Sequence, residues 1–153
     1  MSEVNKEKLI ACLKTSRGFK VREEVLAFDD ALGKLAAINL TKEDLIKLLM
    51  ILEDNSEHEE VLWGLLHFIE GATDLPTFLQ AFIEVVPRLI DQAPEWVETF
   101  HFRILNGEET RVLFKEMLSL SKPAYQNVIR KVLTNISNNE LPPLSEYANF
   151  VLS

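Results

Sequence analysis

The sequence predicts an all-α protein. Apolar residues recur at the three- and four-residue spacing of a helix face in nearly every segment of the 153-residue chain. No stretch keeps the alternating pattern of a half-buried strand, and helix-capping signals separate the apolar runs. Since 47% of the residues are hydrophobic and 26% are charged, we expect one globular domain over residues 1–153.

The first 40 residues are expected to form two helices. A short helix is expected over about residues 5–14. A longer one is expected over about residues 20–38, because Val25, Phe28 and Leu35 fall on one helical face.

Three antiparallel helix pairs are predicted over residues 41–136. They are 42–54 with 57–70, 75–91 with 95–106, and 109–119 with 122–136. The signals at the helix ends are capping boxes at Thr41–Asp44 and Ser56–Glu59, a capping Asp74, and stops at Gly71 and Asn106-Gly107. Residues 137–153 contain Asn138, Asn139, Pro142 and Pro143, which predict a loop-like tail, although Tyr147, Phe150 and Val151 could dock it onto the helices.

The predicted pairs repeat about every 33 residues, which is typical of helical-hairpin arrays. We therefore expect a short HEAT-like α-solenoid, in which Pro87 would bend the first helix of its pair. A compact irregular helical bundle is the alternative.

The charge distribution limits the possible partners. The chain has a net charge of −8, and residues 61–110 hold eight acids but only two bases. This argues against nucleic-acid binding, which requires clustered lysine and arginine, and favours a basic protein partner. The alternative is that the acidic surface only keeps the protein soluble. The sequence begins without a signal-peptide pattern and has no apolar run long enough to cross a bilayer, so we expect a cytoplasmic protein without a membrane partner.

The sequence lacks the motifs of an enzyme. We find no phosphate-binding glycine loop, no nucleophile elbow and no His-Glu-x-x-His pattern. Cys12 is the only cysteine, so a cysteine-based zinc site is not possible. A di-iron site needs the Glu-x-x-His motif twice, whereas His67 and Glu70 have the reverse order and occur once. We therefore expect no catalytic residues, no cofactor and no metal.

Unusual residues cluster on the second helices of two pairs, which would face the same way in a stack of hairpins. They are Trp63, His67 and Glu70 on one helix, and Trp96, Glu98, His101, Arg103 and Asn106 on the other. An internal ion pair of Arg103 with Glu70 or Glu98 would give these residues a structural role. Tryptophan and arginine also dominate interfaces, so partner binding by Arg103, Trp96 and Asn106 stays open.

Short strings at these positions resemble a known family. They are Leu62-Trp63-Gly64-Leu65-Leu66-His67, Ala93-Pro94-Glu95-Trp96 and Arg103-Ile104-Leu105-Asn106. Together they are similar to small bacterial immunity proteins of polymorphic-toxin and contact-dependent inhibition systems, over about residues 40–120. The resemblance implies a protein that binds and neutralises a cognate toxin domain.

Two surfaces are candidates for contacting such a toxin, which would be basic if it is a nuclease. The acidic turn, residues 53–60 with Glu57, Glu59 and Glu60, is expected to steer association. An inner face is expected to slow dissociation, because tight binding needs desolvated anchors. Its expected members are His67, Glu70, Glu98 and His101, with Trp63 beside them. The alternative functions are a HEAT-like scaffold or regulatory adaptor that holds a peptide or helix in its groove, and a small hydrolase or lyase with an unrecognised site.

Overall fold

A computed structural model describes residues 2–17, 22–56 and 58–153 of the chain. The described residues contain no strand, and they form nine α-helices: α1 (Ser2–Ser16), α2 (Arg22–Leu35), α3 (Lys42–Leu49), α4 (Glu59–Gly71), α5 (Leu75–Gln92), α6 (Pro94–Asn106), α7 (Glu108–Ser119), α8 (Pro123–Asn139) and α9 (Leu144–Leu152). The predicted all-α class is confirmed. The chain divides within α5 into two compact units, residues 1–78 and 79–153.

The first unit is built on helices α1 to α4. Helix α1 packs against α2, and α4 packs against both α2 and α3. The predicted apolar stripes of α3 and α4 are fully buried: Leu45, Leu48, Leu49, Leu62, Leu65, Leu66 and Ile69. The capping box at the start of α3 is also confirmed, since the Asp44 amide donates to the Thr41 hydroxyl and the Thr41 amide donates to the Asp44 carboxylate.

A buried ion pair joins α1 to α3. The Lys6 ammonium lies 2.7 Å from the Asp44 carboxylate, and both side chains are less than a tenth exposed. Burial alone would raise the pKa of Asp44, but hydrogen bonds from Lys6 and Thr41 outweigh it and lower the pKa. Asp44 therefore caps its own helix and holds a second helix at the same time.

Helix α3 ends at Leu49, five residues before the predicted end. Tight turns replace the helix there, because the amides of Ile51 and Leu52 donate to carbonyls three residues back. Ile51 and Leu52 stay buried in these turns, which explains why the apolar pattern outlasts the helix. Arg17, at the end of α1, donates to the Met50 carbonyl over 3.3 Å and lies 3.4 Å from Glu53.

Helix α4 begins at Glu59, two residues after the predicted start, and its N-cap is His58. The Ser56 hydroxyl accepts a hydrogen bond from the His58 amide, so it closes a local turn instead of capping the helix. The prediction that Ser56 and Glu59 form a capping box is therefore wrong. Glu57 of the acidic turn and residues 20–21 of the predicted second helix lie outside the described residues.

The second unit contains most of α5 and helices α6 to α9. Asp74 accepts a hydrogen bond from the Thr77 amide at the start of α5, as the sequence predicted, and the helix continues past Pro87 to Gln92. Gly107 separates α6 from α7 in an extended conformation, which confirms the predicted stop. Helix α6 packs against α7.

The predicted tail is a helix, and this corrects the sequence interpretation. Helix α8 continues to Asn139, and α9 packs against α6, α7 and most extensively α8. Ala148 and Val151 are the buried residues of α9. Two cations satisfy carbonyls at its C-terminal end: Lys115 donates to Phe150 over 2.9 Å, and Arg130 donates to Leu152 over 3.2 Å.

Candidate functional site

Helix α4 carries three of the predicted residues on one side. Trp63, His67 and Glu70 follow one another at four- and three-residue spacing, opposite the buried leucines of the same helix. The rings of Trp63 and His67 have centroids 6.0 Å apart, and His67 Nδ1 lies 3.9 Å from Glu70 Oε1. Trp63 is 36% exposed, a large fraction for such an apolar side chain. We call these three residues the α4 face.

A groove lies beside the α4 face within the first unit, with a volume of about 320 Å³. Its residues come from the end of α2 with the segment that follows it, and from the last turn of α4: Leu35, Ala36, Ile38, Leu40, His67, Phe68, Gly71 and Ala72. Leu35 is the last residue of α2 and Gly71 the last of α4, so the groove lies where two helices end. His67 belongs both to the α4 face and to the groove.

The acidic turn continues into α4, and Glu59 and Glu60 are exposed in the first turn of that helix. His58 Nδ1 lies 3.3 Å from the Glu60 carboxylate. Hydrogen bonds from its own amide and from His58 lower the pKa of Glu60. Helix N-termini favour such charges, so the position of these acids stabilises α4 whatever else they do.

The predicted residues of α6 do not share one side of the helix. Glu98, Arg103 and Asn106 are exposed, whereas Trp96 is 5% exposed and His101 is fully buried. Although Glu98 is exposed overall, partial desolvation of its carboxyl, followed by the negative charges of Glu140 and Glu95, raises its pKa. Trp96 is therefore placed as a core residue, and the exposed position of Arg103 does not favour a buried ion pair.

His101 lies among aromatic rings in the second unit. Its Nδ1 donates a hydrogen bond to the Val97 carbonyl over 2.8 Å, and its Nε2 is buried with no hydrogen-bond partner among the described residues. The ring meets Phe82 and Phe114 edge-on, at centroid distances of 5.0 and 5.8 Å. Burial lowers the pKa of His101 to about 4, and the hydrogen bond to Val97 only partly opposes this effect. In this position the side chain offers no atom to a partner at the surface.

The groove was not predicted from the sequence. Gly71 was interpreted only as a helix stop, and residues 35–40 only as a helix end. The available signal was the small and apolar composition of the two helix ends, Leu35-Ala36-Ala37-Ile38 and Gly71-Ala72. This composition indicates a groove only when the ends of α2 and α4 are known to lie side by side.

Among residues 2–17, 22–56 and 58–153, no three His, Cys, Asp or Glu side chains are grouped so that they could hold a metal ion. None of the helices in the described part of the chain is long and apolar enough to span a membrane.

Comparison with known proteins identifies the family. The family model for Immunity protein 30 matches residues 15–114, a stretch that includes the α4 face, the groove and α6. No curated protein and no solved structure matches the chain. The family match agrees with the resemblance at residues 62–67, 93–96 and 103–106. The chain therefore belongs to the Immunity protein 30 family.

Proposed function

We propose that this protein binds a cognate bacterial toxin domain through the α4 face and neutralises it in a one-to-one complex in the cytoplasm. The toxin would belong to a contact-dependent inhibition or related polymorphic-toxin system. Family membership supports a protective role, and the arrangement of Trp63, His67 and Glu70 supports this location.

The α4 face has the chemistry of an interface anchor. Trp63 combines a large apolar surface with a ring N–H, and such residues contribute most of the binding energy at protein interfaces. His67 lies beside the Trp63 ring, and Glu70 is half-buried next to His67. A partner that covers Trp63 would bury apolar surface and an acidic group together.

Charge favours a basic partner. The net charge of −8 would accelerate the approach of a cationic toxin surface. Glu95 and Glu140 disfavour ionisation of Glu98, and a nearby cation would relieve that repulsion. We therefore keep Glu98 as a proposed secondary contact, as well as Arg103 and Asn106 on the exposed part of α6. His101 and Trp96 are not included in the proposed surface because they are buried.

The stoichiometry can be tested by titration. Toxin domains encoded by genes next to that of this chain are purified, and their activity is measured as this protein is added. We expect inhibition to be complete near one equivalent, with the toxin recovered unmodified. Complete inhibition well below one equivalent would indicate catalysis, and the absence of inhibition or binding by any neighbouring toxin would refute the proposal.

The location can be tested with two matched variants. Trp63→Ala should weaken toxin binding roughly 30-fold, the effect expected of an interface anchor. Leu26→Ala is the control, because Leu26 is another exposed apolar side chain in the first unit, 54% exposed on α2. Binding is measured by calorimetry, and thermal melts check that both variants fold. Equal affinities of the two variants for the toxin would show that the toxin does not bind at the α4 face.

A further inference from the structure

The groove beside α4 has an electrostatic character that follows from its position. The last carbonyl groups of an α-helix lack intrahelical donors, and the end of the helix carries a partial negative charge of about half an electron charge. Leu35 at the end of α2 and Gly71 at the end of α4 both line the groove. Two helix C-termini therefore meet at this groove. The amides of Ala36, Ala37 and Ile38 already donate to the Leu32, Lys34 and Leu35 carbonyls, so the end of α2 is the less negative of the two.

The side chains near the two helix ends differ in charge. The last turn of α4 contains no lysine or arginine, and Glu70 next to it adds a carboxylate. Lys34 is the basic residue in the last turn of α2, and its ammonium lies 3.0 Å from the Asp30 carboxylate. The α4 end of the groove therefore favours a positive charge, whereas on the α2 side Lys8 and Lys34 lie near Ile38.

The sides of the groove favour an apolar group. Leu35, Ile38, Leu40 and Phe68 line it, and the small residues Ala36, Gly71 and Ala72 leave it open. A side chain with an apolar stem and a cationic end fits both properties, since lysine and arginine place their methylene groups on apolar surfaces while the charge stays near polar atoms. Arginine suits the site better than lysine, because a planar guanidinium can stack on the ring of His67 at the edge of the groove.

We infer that the groove accepts an arginine side chain of the toxin, with its stem against Leu35, Ile38 and Phe68 and its guanidinium near the end of α4. This inference depends on the proposed function, because it names the chemical group that the toxin contributes beside the α4 face. It also predicts that the groove binds an arginine derivative more strongly than an uncharged analogue, which can be measured without the toxin.

The first test uses a small probe and the whole protein. N-acetyl-arginine-N-methylamide is titrated into the isotope-labelled protein, and backbone amide shifts are followed by NMR. The matched probe is the corresponding citrulline derivative, which has nearly the same shape but no charge. We expect the arginine derivative to shift the amides of Leu35, Ile38, Phe68 and Ala72 in preference to others. The citrulline derivative should have a much weaker effect. The lysine derivative should bind between the two.

The second test fills the groove. A Cβ atom added at Gly71 meets nothing within 4 Å, and the residue has no positive φ, so Gly71→Leu is compatible with the backbone. Gly33→Leu is the control, because Gly33 is also an exposed helical glycine of the first unit with open space, and it does not line the groove. Both changes raise helix propensity similarly. We expect Gly71→Leu to abolish the shifts caused by the arginine derivative and Gly33→Leu to preserve them.

The same pair of variants is then tested with the toxin. Gly71→Leu should weaken toxin binding about ten-fold, the loss expected for one well-packed anchor, while Gly33→Leu should not.

Several outcomes would overturn the inference. They are shifts spread over the acidic surface, equal effects of arginine and citrulline, and shifts that persist in Gly71→Leu. Toxin binding that is sensitive to Trp63→Ala but not to Gly71→Leu would refute the groove and leave the proposed function intact. If no toxin binds at all, the proposed function fails, while the probe titration still decides whether the groove selects arginine.

Discussion

The guanidinium of Arg111 lies 3.8 Å from the centre of the Tyr147 ring, which joins α7 to α9 by a cation–π contact. The same guanidinium donates a hydrogen bond of 2.6 Å from Nη1 to the Leu105 carbonyl near the end of α6. One side chain therefore connects three helices of the second unit. The carbonyl that it satisfies is one of those that α6 leaves without an intrahelical donor.

Replacing Arg111 should destabilise the second unit. Arg111→Met keeps much of the apolar stem but removes the charge and the donors, and we expect the free energy of unfolding to fall by about 1–3 kcal/mol. The control is Arg88→Met, since the Arg88 side chain is exposed and makes no hydrogen bond or ion pair with the described part of the chain. Urea denaturation measures both. In a double-mutant cycle with Tyr147→Leu, fully additive losses would show that the cation–π contact contributes nothing.

The buried pair Lys6–Asp44 should be far more important than an exposed pair. Lys6→Met leaves the Asp44 carboxylate buried without its counter-charge, and we expect a loss of about 3–5 kcal/mol in the free energy of unfolding at neutral pH. Lys34→Met breaks the exposed pair with Asp30 and should cost less than about 1 kcal/mol. Similar losses for the two variants in urea denaturation would contradict the structural role of the buried pair.

The same carboxylate predicts stability at low pH. The pKa of Asp44 is lower in the folded protein than its ordinary value of 3.8, so the unfolded chain binds this proton more readily. The stabilisation is fully present above pH 3.8 and decreases as the pH falls below that value. Asp44→Asn should remove this component of the acid transition, which is measured as the free energy of unfolding at a series of pH values.

His101 predicts a second loss of stability, at a higher pH. Its pKa is about 4 in the folded protein and 6.5 ordinarily, so the unfolded state takes up the proton first as the pH falls. Stability should decrease between pH 6.5 and 4, by about 3 kcal/mol in total. His101→Phe should remove this decrease, whereas His67→Gln, at an exposed histidine, should preserve it. If the decrease persists in His101→Phe, another group causes it.

The acidic turn should affect the rate of toxin association more than the rate of dissociation. Glu59→Gln with Glu60→Gln should slow association and weaken its salt dependence, because exposed charges act mainly over distance. Adding Glu57→Gln to this pair should slow association further. The control is Glu108→Gln with Glu109→Gln, which likewise removes two carboxylates from the first turn of a helix. Stopped-flow kinetics at two ionic strengths measures both pairs. An unchanged association rate in the first pair would mean that the acidic turn is only a soluble surface.

The helical structure of these segments was predictable from the sequence, but several helix ends were not. The leucines of α3 and α4 repeat so regularly that a helix with one buried side was the natural interpretation. The end of α3 was missed because Ile51 and Leu52 continue the apolar pattern in tight turns after the helix. The Met50 carbonyl beside these turns accepts a hydrogen bond from Arg17, which lies more than thirty residues earlier in the chain. Helix α9 was missed because Lys115 and Arg130, which donate to its last carbonyls, lie 35 and 22 residues before those carbonyls in the chain.

The candidate site was predictable in part. Spacing alone places Trp63, His67 and Glu70 on one side of α4, opposite a clear apolar stripe. The same reasoning did not predict which side of α6 is exposed. Trp96, Phe100 and His101 are all buried, and apolar or aromatic residues occupy much of the circumference of that helix. The groove depends on two helix ends that are distant in sequence, so no local pattern predicts it. The HEAT-like repeat and the single domain stay predictions.

The dependence of the second unit on α9 has a consequence for biosynthesis. A ribosome makes residues 144–152 after every other described helix, and until then Lys115 and Arg130 have no α9 carbonyls to bind. The surface of α8 that α9 covers is therefore exposed in the nascent chain, where chaperones can reach it. The proposed toxin-binding surface on α4 emerges much earlier, because it belongs to the unit that is translated first. The residues of the α4 face therefore leave the ribosome while α9 has still to be made.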